Sequence, residues 1–415
     1  MKKYGCIGKK LTHSFSKEIH ARLADYEYDL IELSEEQLQS FFTEKDFEAV
    51  NVTIPYKQAV IPYLDSVSEV AQKIGAVNTI VNRDGKLYGY NTDYYGMMAL
   101  IRRAGIDLRS KKVLVLGTGG TSKTACAVAA DMGAGEILTV SRRKSDGYIT
   151  YEEAETLHRD AKIIINTTPS GMYPDCKSKP IDITAFSRLE GVIDAVYNPL
   201  CTNLVLDARA RGIKARGGLY MLVMQAVVAV EKFLDIQIEK HTADRVFASM
   251  LALKENIVLT GMPGSGKSTV GRLLRVDGYR FVDTDVEIEK RCGCTIKELI
   301  ATHGEKYFRD LETRVIEDVS AESCCIIATG GGAILREENV RALKRNGKLF
   351  FINAQLSRLC ATQDRPLSNT EEKLARLYKE RMPIYEATAD VIVPDLETPE
   401  AEAAYILEKR MELIL

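Results

Sequence analysis

The chain has 415 residues, 46% of them hydrophobic, which is enough for two or three globular units with filled cores. Its 56 Lys and Arg stand against 58 Asp and Glu, a net charge of −2, so no overall basic field exists to gather nucleic acid. The nine cysteines include no C-x-x-C pair and no Cys/His run at zinc spacing, and no stretch approaches the ~18 apolar residues of a membrane span, so reduced thiols, a cytoplasmic location and small-molecule partners are expected.

In chain order, "YEYDLIEL", "FEAVNVTI" and the hairpin-like "NTIVNRDGKLYGYNTD", with Asp84-Gly85 at its turn, form a first block of strands. From Lys111 to Gly217 the pattern alternates: "KVLVLG", a small-residue helix through Ala130, "EILTVS", "AKIIINTT", "GVIDAVY" and "GIKARGG" predict a doubly wound parallel sheet. An apolar helical segment from Leu219 to Leu251 is expected to return to the first block. After the short join "LALKEN", a second α/β series follows: "NIVLTG", "YRFVDTD", "CIIATGGG", "KLFFIN" and "DVIVPD". The predicted division is a two-lobed unit over 1–253, with lobes at about 1–105 plus 225–250 and about 106–224, and a second unit over 254–415.

Both series contain a glycine loop. "GTGGTS" places Gly117 and Gly119 at the first two positions of G-x-G-x-x-G, with Ser122 in place of the third glycine, between a strand and a helix whose amides and positive dipole end suit a pyrophosphate. The acidic residue expected about 20 residues on, for a ribose 2′-hydroxyl, is absent. That strand ends instead in Ser141, Arg142 and Arg143, a hydroxyl and two cations suited to a 2′-phosphate, which favours NADP(H). The dinucleotide set is Gly117, Thr118, Gly119, Gly120, Thr121, Ser141, Arg142, Arg143 and Gly218.

"GMPGSGKS" satisfies G-x-x-x-x-G-K-[ST]: the amides of Gly264, Ser265, Gly266, Ser268 and Thr269 wrap phosphates, Lys267 reaches the β and γ oxygens, and the Ser268 hydroxyl faces Mg2+. Asp283 and Asp285 in "VDTD" are two apart, on one face if extended; one could order the metal through water while the other receives the proton of the acceptor hydroxyl or positions that hydroxyl. Arg309, Arg358, Arg365 and Arg381 offer the cationic forks that a small anionic acceptor and a transferring phosphoryl group require.

Roughly residues 1–250 resemble shikimate dehydrogenases, through "HSFSKEIH", "NVTIPYK", "GAVNT", "GYNTD", "GTGGTS", "NTTPSGM", "DAVYNPLCT" and "GGLYMLVMQA". The resemblance implies NADPH-dependent reduction of 3-dehydroshikimate to shikimate, with Lys57 and Asp93 at the chemical centre. A ketone receiving hydride becomes an alkoxide that needs a proton or a cation, which gives such a pair independent chemical sense. Ser14 and Ser16 would hold the substrate carboxylate, and Thr53, Asn78, Tyr197 and Gln225 its ring hydroxyls; His13 and His20 are read as structural.

Residues from about 255 to 415 resemble shikimate kinases. This implies ATP and Mg2+ as cofactors, with Arg309 and Arg381 clamping the shikimate carboxylate and Gly331 admitting the ring. Asp285 would contact its hydroxyl, Arg365 on a lid would stabilise phosphate charge, and Arg358 would stack on adenine. The expected architecture is α/β: a two-lobed dehydrogenase with a Rossmann-type lobe, then a P-loop kinase with a five-stranded parallel sheet. The product of the first site would be the acceptor of the second, two consecutive steps of aromatic amino-acid biosynthesis. A metabolite sensor on the same folds, a different small-molecule kinase, activity on quinate and the oligomeric state all stay open.

Overall fold

The computed structural model describes residues 3–11, 15–359 and 370–414. The chain divides into two compact units, Met1–Met250 and Leu251–Leu415. Among the described residues no helix is long and apolar enough to cross a membrane.

In the first unit, β1 (Tyr4–Gly8), β2 (Tyr28–Glu32), β3 (Ala49–Val52), β4 (Ser66–Val67), β5 (Thr79–Arg83) and β6 (Lys86–Tyr90) make a sheet of order β2-β1-β3-β5-β6-β4. β1 runs parallel to β2 and β3, whereas β5 is antiparallel to β3 and β6. Asp84 and Gly85 turn the β5-β6 hairpin with φ of 52° and 78°, the left-handed pair that an Asp-Gly turn favours.

The remaining strands of that unit, β7 (Lys112–Leu116), β8 (Glu136–Ser141), β9 (Tyr148–Thr150), β10 (Ile163–Asn166), β11 (Gly191–Asp194) and β12 (Lys214–Arg216), form an all-parallel sheet of order β12-β11-β10-β7-β8-β9. Val113 to Leu116 and Ile163 to Ile165 are fully buried, as expected for central strands covered on both faces. The strand order reverses at β7, so a crevice opens at the carboxyl ends of β7 and β10, the usual ligand position in such sheets.

The apolar helical segment expected from Leu219 to Leu251 is two helices, Leu219–Leu234 and Lys240–Ala252. Asp235 in the left-handed region (φ 55°) ends the first, donating its N–H to the Glu231 carbonyl, and the Glu231 carboxylate accepts the Ile238 N–H at 2.9 Å. The first of these helices packs on the helix Asp93–Arg103, and the approach is close: a Cβ on Gly96 would lie 2.5 Å from the Met221 carbonyl oxygen.

The second unit contains β13 (Asn256–Thr260), β14 (Arg280–Asp283), β15 (Cys325–Ala328), β16 (Gly347–Ile352) and β17 (Val391–Val393), a five-stranded parallel sheet of order β14-β15-β13-β16-β17. Apolar clusters cover both faces, one including Val258, Val315 and Ile327, the other Leu259, Val270 and Ile406. A capping box between Thr295 and Glu298 starts the helix Ile296–Ala321, which breaks at Gly304 (φ 84°, ψ 163°).

Candidate active sites

In the first unit, two strand ends converge. The chain leaving β3 carries Thr53 and Lys57, and the chain leaving β6 enters a helix at Asp93. Lys57 Nζ donates to Asp93 Oδ2 at 2.5 Å, with the two side chains only 18% and 11% exposed, so the pair sits in a cleft and not on a solvated surface. Asn78, also buried, accepts the Thr92 N–H at 2.6 Å and donates to Thr92 Oγ1 at 3.0 Å; the same hydroxyl reaches Gln225 Oε1 at 3.5 Å. Thr92 therefore ties two candidate substrate residues together. The sequence reading passed over it, although it adjoins Asp93 in "GYNTD".

Tyr197 comes from the loop after β11 and lies 5.3 Å, ring to ring, from Phe15, which immediately precedes Ser16. Ser16 is the first residue of the helix Ser16–Leu23, where Phe15 and not Ser16 occupies the capping position. Ser14 and His13 lie outside the described residues. His20 is fully buried, meets the Tyr26 hydroxyl at 2.6 Å and stacks on Tyr28; burial lowers its pKa to about 3, so it stays neutral. Burial likewise pushes the Cys6 thiol near Lys57 up to about 12, which removes it as a nucleophile.

The dinucleotide loop faces the same cleft. A Cβ on Gly120 would lie 3.9 Å from Lys57 Cδ, which puts the start of the helix Gly120–Asp131 beside the lysine. Gly117 adopts φ of 108°, and a Cβ there would meet Thr167 Oγ1 at 2.9 Å. Thr118 and Gly119 are exposed at the turn, Thr121 is half-buried, and Ser122 is buried inside the helix. At the end of β8, Ser141 Oγ accepts the Arg143 N–H at 3.2 Å; Arg142 and Arg143 are exposed and have no ion pair among the described residues. Bare loop backbone with two uncommitted cations beyond it fits a dinucleotide carrying a 2′-phosphate. Gly218 leaves β12 so close to Ala195 that a Cβ would overlap the carbonyl of that residue.

Two further contacts set this geometry. Buried Asp194 accepts bonds from Asn166 Nδ2 (2.9 Å), the Val196 N–H (3.0 Å) and Thr202 Oγ1 (2.6 Å), fixing both ends of the loop that carries Tyr197. Burial raises its pKa to about 6 against the pull of those bonds. Asp131 accepts from Lys73 Nζ at 2.5 Å and from the Tyr94 hydroxyl at 2.8 Å, joining the end of the dinucleotide helix to two helices of the first block.

In the second unit the loop after β13 turns at Gly264 and Gly266, both at φ of 85°, into the helix Lys267–Leu273, so Ser265 sits inside the turn and Ser268 and Thr269 in the first helical turn. Lys267 Nζ donates to the carbonyls of Gly261 and Met262, each at 2.9 Å. Ser268 Oγ bonds Asp283 Oδ2 at 2.5 Å, while Asp283 Oδ1 caps the next helix by accepting the Asp285 N–H at 3.0 Å. A hydroxyl and a carboxylate side by side fit Mg2+, which prefers oxygen ligands and completes its shell with phosphate and water.

Asp285 and Glu312 present carboxylate oxygens to one spot: a Cβ on Gly330 would lie 2.6 Å from Asp285 Oδ1 and 2.9 Å from Glu312 Oε1. Burial, then Asp283 and Glu312, raise the Asp285 pKa to about 6, opposed by Lys267 and Arg309. Arg309 Nη1 donates to Glu312 Oε2 at 2.7 Å, and Arg381 Nη1 to the Gly331 carbonyl at 2.9 Å. A Cβ on Gly331 would meet Pro263 Cδ at 2.7 Å, so the glycine run lies against the phosphate loop. Arg358 is exposed and pairs with Asp395 and the Leu396 carbonyl. Arg365 lies outside the described residues.

Comparisons with known proteins fall along the same division. The family description "Shikimate dehydrogenase substrate binding domain" matches residues 6–80, and "Shikimate kinase" matches residues 263–411. A shikimate dehydrogenase (NADP(+)) of Clostridium perfringens strain SM101 is 37% identical over 278 residues, covering 60% of this chain and 98% of that protein. The crystal structure of shikimate dehydrogenase 1 from Peptoclostridium difficile aligns at a TM-score of 0.56 and 36% identity, covering 60% of this chain and 98% of that one. That of a Thermus thermophilus shikimate 5-dehydrogenase in complex with NADP(H) and shikimate aligns at 0.55 and 28% identity, over 60% and 99% of the two chains.

Proposed function

Because the chain belongs to the shikimate dehydrogenase family and carries a shikimate kinase domain behind that region, we propose that one polypeptide reduces 3-dehydroshikimate to shikimate and then phosphorylates shikimate to shikimate 3-phosphate. It is an NADP-dependent oxidoreductase and an ATP- and Mg2+-dependent kinase of the shikimate pathway. The direction of the first reaction, the joint activity, the boundary near residue 253 and the residue roles are our reading. It is carried by one observation: the Lys57–Asp93 pair lies beside the dinucleotide loop at Gly120, where a ketone and a cofactor can meet.

Bound NADPH supplies the hydride. Lys57 gives a proton to the oxygen that gains charge, and Asp93 holds the ammonium on line and accepts a bond from a neighbouring ring hydroxyl. Thr92 keeps Asn78 and Gln225 in register for the other hydroxyls, Thr53 and Tyr197 would bind further ring hydroxyls, and Ser14 and Ser16 would hold the carboxylate. Bound MgATP supplies the phosphoryl group in the second unit. There Lys267 would hold phosphate oxygens, Ser268 and Asp283 would hold the metal, and Asp285 would orient the acceptor hydroxyl and take up its proton. Arg309 and Arg381 grip the carboxylate, and Arg358 and Arg365 attend the nucleotide.

The test is a single mixture of purified full chain, 3-dehydroshikimate, NADPH, ATP and Mg2+, followed by absorbance and product analysis. NADPH oxidation with accumulation of shikimate 3-phosphate is expected, and failure to consume NADPH with this ketone would overturn the reading. Lys57→Ala should lower reduction by about a hundredfold or more, the usual scale for a lost proton donor, while sparing phosphorylation of supplied shikimate. Lys267→Ala should do the reverse.

A further inference from the structure

Arg309 meets two carboxylates, and they differ in kind. Glu312 is fully buried and holds Nη1 at 2.7 Å, so it orients the guanidinium from within the core. Glu305 approaches from the solvent side, with its side chain 51% exposed and Oε1 3.5 Å from both Nη2 and Nε. The Nη2/Nε edge offers Arg309 a two-pronged grip on a carboxylate while Nη1 is engaged by Glu312. Glu305 also acts on Arg381: burial lowers the pKa of that guanidinium, Arg309 adds to the lowering, and Glu305 opposes it. The charge of Glu305 thus bears on both cations assigned above to the acceptor's carboxylate, and its contact is with Arg309.

The backbone leaves Glu305 free to yield. It is the first residue after Gly304, where the long helix breaks and restarts, and among the described residues its carboxylate makes no contact shorter than 3.5 Å. Rotation about its own side-chain bonds removes it from Arg309 without breaking a helical hydrogen bond. Two carboxylates on one guanidinium edge repel each other, so an arriving acid and Glu305 exclude one another.

We propose that Glu305 stands in for the acceptor's carboxylate before binding and is displaced by it, so that this side chain sets the kinase unit's affinity for its acid substrate. The proposal rests on the kinase reading given above. Orientation of Arg309 does not need Glu305, because the buried bond to Glu312 already supplies it.

The test uses the full chain and measures KM for shikimate, KM for ATP, and shikimate Kd by calorimetry without nucleotide. Glu305→Gln keeps size and removes charge, and should lower both shikimate constants roughly two- to fivefold, the scale of a half-exposed ion pair, with the ATP KM unchanged. Glu305→Ala should act in the same direction. Unchanged or raised shikimate constants in both variants would overturn the proposal, and so would an equal fall in the ATP KM, which would indicate general loosening. Absence of shikimate phosphorylation by the unaltered chain would instead overturn the functional reading.

Discussion

A methyl group at residue 332 would overlap the Arg309 guanidinium, and the overlap falls on the far end of a side chain and not on backbone. Gly332→Ala should therefore fold normally and lose the carboxylate clamp: we expect the KM for shikimate to rise roughly tenfold or more, as for a lost charge-assisted bond, with the ATP KM little changed. Asp194 offers a test through pH. Folding raises this carboxyl from 3.8 to about 6, so the folded unit holds a proton that the unfolded chain gives up. The associated stabilisation is complete below the unfolded value and lost as pH climbs through the folded one. Relative to Asp194→Asn, the unaltered chain should thus be more favoured at about pH 5 than at about pH 7.5, by roughly 1 kcal/mol. Thermal unfolding of both proteins at the two pH values measures the gap, and a gap that widens with pH would contradict the assignment of Asp194 as a buried carboxyl with a raised pKa that anchors the Tyr197 loop.

At the scale of elements, the contact of Asp131 with Lys73 and Tyr94 is one join between the dinucleotide helix and the block holding Asp93. Asp131→Ala should raise KM for NADPH and for 3-dehydroshikimate together, by roughly two- to fivefold given the partial exposure of the pair, and leave the kinase constants alone. Steady-state kinetics on both activities would show it. The sequence announces elements whose signal is local: the Asp-Gly turn at 84–85, the apolar runs of β7 and β13, and the glycine loops that follow them. It conceals those decided by distant partners. β1 is five residues with glycines at its second and last positions, recognisable only once β2 and β3 flank it. The break at Asp235, within the apolar helical segment expected from Leu219 to Leu251, is accompanied by a contact that the sequence hides, Glu231 reaching the Ile238 amide. Thr92, Glu305 and Glu312 escaped notice for the same reason, since their meaning lies in which side chains they touch.

For the molecule as a whole, the two sites draw on separate residues, and independent turnover is the expected behaviour. A labelled shikimate pool added during the coupled reaction should dilute freely into the phosphorylated product; undiluted passage of internally made shikimate would contradict this. The join between the units belongs physically to the second. Tyr279 donates its hydroxyl to the carbonyls of Ala252 and Glu255, Cys324 Sγ meets the Leu253 carbonyl at 3.0 Å, and Arg410 Nη2 reaches the Ala252 carbonyl at 3.4 Å. A fragment of residues 251–415 should accordingly phosphorylate shikimate, whereas one starting at 256 should melt at a lower temperature, having lost these acceptors. Arg410 has a wider implication, because its helix, Pro399–Ile414, thereby returns to the point where the unit begins. Entry and exit of that unit are neighbours, the arrangement that lets a folded module be spliced into a foreign loop or reopened at a new point with its old ends sewn together. Engineers could therefore move this phosphotransferase between host proteins as a cassette.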